Sequence, residues 1–114
     1  MFGGIVIKGE GIGRQYGYPT ANLNCLKKEV KISEGIYACY VYVRKKKYPA
    51  ALAVQSDPWK VEVHIFDFNE DLYGSFIEVD LVQKVSEFEM YTNTKELIEK
   101  IGRDVQMVKD LLGV

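Results

Sequence analysis

The stretch Ile36-Tyr-Ala-Cys-Tyr-Val-Tyr-Val43 is rich in β-branched and aromatic residues, side chains that suit a pleated, half-buried surface. The basic run Arg44 to Lys47 follows, then a second apolar run from Tyr48 to Val54, so the two runs read as the arms of a hairpin. Working outward, Lys60 to Phe68 alternates, with Val61, Val63 and Ile65 on one face and Glu62, His64 and Phe66 on the other. Asn69-Glu-Asp71 turns the chain before Phe76 to Val82, whose Ile77, Val79 and Leu81 share a face, and this predicts a second hairpin. Upstream, Gly3 to Gly9 with Ile5-Val-Ile7 reads as the opening strand. After Tyr91 the period changes from 2 to 3.6: Leu97, Ile98, Ile101, Val105, Val108 and Leu112 recur at steps of three and four. Asn93 is a good N-cap with Glu96 three residues on, and Gly113 is a stop signal. Five or six short antiparallel strands and one C-terminal α-helix predict a mainly β domain, a small barrel or closed sheet capped by the helix.

Composition bounds the function. The chain has 114 residues, of which 47% are apolar, enough for one core and one domain over 1–114. Lys and Arg number 15 against 16 Asp and Glu, which gives no general grip on nucleic acid. The basic clusters Lys27-Lys28 and Arg44 to Lys47 read as solvated loop ends. Cys25, Cys39 and the single His64 do not make a zinc constellation, so oxygen ligands would have to hold any metal. With no signal peptide and no disulfide-dense composition, a reducing cytoplasm is expected. No apolar run approaches the roughly 20 residues of a membrane span, and a barrel with closed edges needs no partner, so a monomer is expected.

The chemistry is sought in Gly9 to Lys31, a long segment with little periodicity. It opens Gly9-Glu-Gly11-Ile-Gly13-Arg14-Gln-Tyr-Gly17-Tyr-Pro19-Thr20-Ala-Asn22. Closely spaced glycines with Arg14 among them let backbone N–H groups approach phosphate oxygens. Thr20 and Asn22, two apart in an extended segment, put a hydroxyl and a carbonyl oxygen on one side, ligands suited to a Mg²⁺ that also holds substrate phosphates. Neither element is specific alone; together they imply a Mg–nucleotide site. Phe66 and Phe68 serve either as a wall for adenine or as core, and His64 reads as a structural group on the face of Glu62.

These motifs, with Gly35-Ile-Tyr37, Val61-Glu62-Val-His64-Ile-Phe-Asp67-Phe68 and Glu70-Asp-Leu-Tyr73-Gly74, resemble the riboflavin kinase (flavokinase) domain of bacteria and eukaryotes, from about residue 3 to the C-terminal helix. The resemblance implies a six-stranded antiparallel Greek-key β-barrel with a C-terminal α-helix. It also implies transfer of the ATP γ-phosphate to the ribityl 5′-hydroxyl of riboflavin, giving FMN. Gly9, Gly11 and Gly13 would form the flap over the ATP phosphates and Arg14 its basic contact. Thr20 and Asn22 would hold Mg²⁺, with Mn²⁺ and Zn²⁺ left open, and Glu62 would be the catalytic carboxylate. Small-molecule substrates, riboflavin and ATP, are the partners implied, and a kinase domain without an adenylyltransferase domain is expected.

Three departures stand out. The flavin-holding arginine of the family falls at Ser86, and the aromatic five residues later is Tyr91 rather than Phe. The loop Gln55-Ser-Asp-Pro58-Trp59-Lys60 is short, and Trp59 reads equally as flavin contact or as core. The alternative that these departures motivate is a barrel that binds flavin or nucleotide without turnover, or a kinase for another small alcohol.

Overall fold

In a computed structural model, residues 1–9 and 17–114 are described. Six strands, β1 (Phe2–Ile7), β2 (Ala21–Asn24), β3 (Gly35–Val43), β4 (Lys46–Ser56), β5 (Trp59–Ile65) and β6 (Phe76–Ser86), form a closed barrel in the order β1-β2-β5-β4-β3-β6. A short helix α1 (Lys27–Val30) follows β2, and α2 (Thr94–Leu112) ends the fold. All pairings are antiparallel. β3, β4 and β5 follow one another as a meander, and β6 returns by a longer connection to lie beside β3, the Greek-key arrangement.

Alternation fills the barrel. Tyr37, Cys39, Val41 and Val43 of β3, Ala50, Leu52 and Val54 of β4, Val61, Val63 and Ile65 of β5, and Ile77 and Val79 of β6 make one buried cluster. α2 covers part of the outer face, where Ala38 and Ala51 sit beneath Val108, with Phe66 buried beside them and Val105 and Leu112 packed around. Small side chains on the barrel let the helix come close. The Asn93 side chain accepts from the Glu96 N–H, and Gly113 closes the helix at φ 73°, as expected from the sequence.

Four expectations are corrected. The run 60–68 does not pair with 76–82: β5 lies between β2 and β4, and β6 between β1 and β3. The second hairpin is instead β4–β5, joined at Asp57-Pro58 and closed by Ser56↔Trp59; most of the apparent loop 55–60 is strand. Within the segment read as unpatterned, β2 and α1 form. On α2, Ile98 is exposed, while Lys100 and Asp104 are buried.

Trp59 is half-buried against the core, and its indole N–H donates to the Cys25 carbonyl at 2.7 Å. Both cysteines are free and buried. Burial, helped by Asp80, pushes the Cys39 thiol from about 9 up to about 12. Its raised value favours the native state below the unfolded thiol's pKa and is lost as pH rises beyond it. Cys39 is therefore expected to resist a thiol-directed reagent at pH 8 in the native protein and to react once unfolded; stoichiometric labelling of both thiols under native conditions would contradict this. Asn93→Ala should cost about 1 kcal/mol of stability through the lost cap, read from the urea midpoint.

Candidate active site

The register of the sheet builds the site. Ile7 faces Asn22, Asn22 faces Glu62, Glu62 faces Ala53, Ala53 faces Ile36, and Ile36 faces Ser86. Directly opposed residues share a face of the sheet. Since Val61 and Val63 point into the core, Glu62 and its row point outward. Asn22 is one strand spacing from Glu62, about 5 Å, and Ser86 is three spacings away, about 14 Å.

Two cavities meet along this row. The larger, about 810 Å³, is lined by Lys8, Gly9, Thr20, Asn22, Phe68 and the 69–73 segment among others. The second, about 330 Å³, lies between the outer face of β3–β5 and α2. Its wall includes Tyr18, Glu62, His64, Tyr91, Lys100 and Asp104. Both volumes fall in the range of small-molecule sites. Among the described residues Thr20 alone borders both.

At the junction the Thr20 hydroxyl donates to Glu62 Oε2 at 3.4 Å, and Lys60 Nζ lies 3.5 Å from Glu62 Oε1. The carboxylate is thus held from both sides while remaining about a quarter exposed. His64 Nδ1 is 2.8 Å from the Pro19 carbonyl. A carbonyl can only accept, so Nδ1 carries the proton, and His64 anchors the residue before Thr20 rather than Glu62. Its ring also meets Tyr18 and Phe66 edge-on. A Cβ at Gly9 would overlap the Asn22 amide, so only glycine leaves that side chain where it lies. Thr20 and Asn22, whose side chains both carry an oxygen, line the larger cavity. No group of three or more His, Cys, Asp or Glu able to hold a metal occurs among the described residues.

Of the other residues singled out from sequence, Phe68 lines the larger cavity and meets Tyr48 edge-on at 5.0 Å, so it serves core and cavity together. Gly11, Gly13 and Arg14 lie outside the described residues. Tyr91 lines the second cavity; its hydroxyl donates to Glu89 at 2.7 Å, and that bond holds the phenol above its ordinary range. Ser86 lines neither cavity. Its hydroxyl donates to Asp104 Oδ1 at 2.7 Å and accepts from Lys100 Nζ at 2.9 Å, so a cation stands beside the position where the guanidinium is missing. Sequence reasoning missed Lys100 and Asp104, because a spacing of four on a helix is the ordinary mark of a surface ion pair.

The comparisons with known proteins bear on family and fold. The flavokinase family profile, described as riboflavin kinase, matches residues 1–112. A bifunctional riboflavin kinase/FMN adenylyltransferase of Buchnera aphidicola is 35% identical over 93% of the chain and 36% of its own length. The chain therefore spans little more than a third of that relative. A crystal structure described as a macrolide-efflux protein from Streptococcus pneumoniae superposes with a TM-score of 0.85 at 30% identity, covering 95% of this chain and 38% of that one. A riboflavin kinase from Trypanosoma brucei shares the fold, with a TM-score of 0.68 at 22% identity over 98% of this chain and 78% of that one. Matched by that profile over all but its last two residues, the chain belongs to the riboflavin kinase family.

Proposed function

We propose that this chain transfers the γ-phosphoryl group of ATP to the ribityl 5′-hydroxyl of riboflavin, giving FMN and ADP. ATP occupies the larger cavity and riboflavin the one beneath α2. The observation that carries the reading is the junction: Thr20 borders both cavities and its hydroxyl faces Glu62 at 3.4 Å. Phosphoryl donor and acceptor must meet at one point, with attacking and leaving oxygens roughly in line.

Glu62 acts as general base. As the ribityl oxygen attacks phosphorus its proton passes to the carboxylate, the bond from phosphorus to the bridging oxygen of ADP breaks, and the proton is later released to water. Lys60 and Thr20 keep the carboxylate aimed at the junction, and His64 holds the Pro19-Thr20 backbone in place. Phe68 supplies an apolar wall on the nucleotide side and Tyr91 a flat one on the flavin side. Thr20 and Asn22 would hold Mg²⁺. Two neutral oxygens suit an ion that completes its octahedron with phosphate and water, and Gly9 leaves room for the Asn22 amide. When bound, the ion neutralises phosphate charge. Gly11, Gly13 and Arg14 complete the phosphate side of this reading, as the family motif implies.

The test is turnover: riboflavin, ATP and MgCl₂ with purified protein, products separated by chromatography, and EDTA as control. FMN should form only with metal; folded protein that yields none across Mg²⁺, Mn²⁺ and Zn²⁺ overturns the reading. Glu62→Gln should lower kcat by about a hundredfold or more while Mg–ADP binding, followed by calorimetry, persists. Gly9→Ala, which displaces the Asn22 amide, and Asn22→Ala should both raise the Mg²⁺ concentration needed for half-maximal rate. Unchanged metal dependence in the two variants would remove the ligand assignment.

A further inference from the structure

Lys100 and Asp104 are the charged residues buried among the described ones, each 6% exposed. Lys100 Nζ donates to Asp104 Oδ2 at 2.6 Å, to Ser86 Oγ at 2.9 Å and to the Glu87 carbonyl at 3.0 Å. Ser86 Oγ in turn donates to Asp104 Oδ1 at 2.7 Å. Three ammonium hydrogens meet three acceptors, and both carboxylate oxygens are engaged. A buried ion pair is a weak source of net stability even when fully satisfied, and its best-attested use is to fix one geometry among several.

The geometry fixed here is the exit from the barrel. The cluster ties the last residue of β6 and the next peptide to α2. The chain between them, Phe88 to Tyr91, forms part of the wall of the second cavity. That segment has neither strand nor helix pairing of its own. Its side-chain ties are the Tyr91–Glu89 bond within it and the exposed Lys84–Glu87 pair at its base. Met90 is 78% exposed. Glu89 is exposed too, while Phe88 and Tyr91 are half-buried.

We infer that Lys100 is a positioning residue for the acceptor cavity: it clamps Ser86, Glu87 and Asp104 together and so holds Phe88 to Tyr91 where they close on a flat ring. With every ammonium hydrogen taken, Lys100 gives none to the ligand and acts through the segment it holds. The functional half of this inference rests on riboflavin occupying that cavity; the clamp does not.

The experiment compares the parent protein with Lys100→Met and with the double variant Ser86→Arg/Lys100→Gln, which moves the cation from α2 to β6. Amide hydrogen exchange over 87–91 is measured without ligand, and kcat and both KM values are measured with riboflavin and Mg–ATP. In Lys100→Met, exchange over 87–91 should quicken about tenfold with β3 and β4 unchanged. The KM for riboflavin should rise about tenfold and that for Mg–ATP stay within about twofold. The double variant should reverse both effects. Unchanged exchange overturns the clamp; an equal rise in both KM values, a fall in kcat alone, or no recovery on moving the cation overturns the positioning role. Should Lys100→Met not fold, Lys100→Met/Asp104→Asn, which removes both charges, takes its place in the same measurements. A parent protein that makes no FMN refutes the proposed function, while the exchange data still decide the clamp.

Discussion

The barrel closes through two residue pairs, Ala21↔Val63 and Asn22↔Glu62. Without them β2 and β5 would each present a row of unpaired backbone groups, the liability that closure removes. One of these closing pairs consists of the oxygen donor and the carboxylate on which the proposed chemistry turns. Fold and site are therefore joined at the same backbone contact: whatever keeps β2 in register also keeps Asn22 and Glu62 one strand apart. The anchors nearby serve that register, with His64 holding Pro19 and Trp59 holding the Cys25 carbonyl, one on either side of the four-residue strand.

Period and capping made much of this legible. The alternation from Val61 to Ile65 predicts which of its residues face the core and which face outward, and Asn93, Glu96 and Gly113 predict the limits of α2. Pairing was less legible, because strand neighbours in a Greek key are chosen by which faces need covering and not by the nearest turn signal. Asn69 to Asp71 reads as a hairpin turn and is a crossover. Asp57-Pro58 is the real turn, hidden between residues that look like loop. β2 escaped notice for another reason: four residues are too few to show a period.

The site divides in the same way. Thr20, Asn22 and Glu62 announce themselves by motif, and the sheet brings them to one row. Ser86 reads as a lost positive charge, since a sequence shows only what stands at a position. In space an ammonium arrives from α2, fourteen residues away. Lys100 and Asp104, four apart on a helix, carry the ordinary signature of a solvated surface pair. Only the packing of α2 over the end of β6 buries them, and nothing local to residues 100–104 announces it.

Ala38 and Ala51 lie under α2 where the helix rests on the barrel. Because two methyl groups set the height of that helix, they also set the depth of the space it roofs, and Ala38 does so without bordering either cavity. Cores tolerate added volume only by shifting their neighbours, so a branched side chain at Ala38 would lift the roof before it altered the lining of the cavity. The depth of the cavity beneath α2 is in that sense gauged from below, in part by a residue that a survey of its lining would pass over.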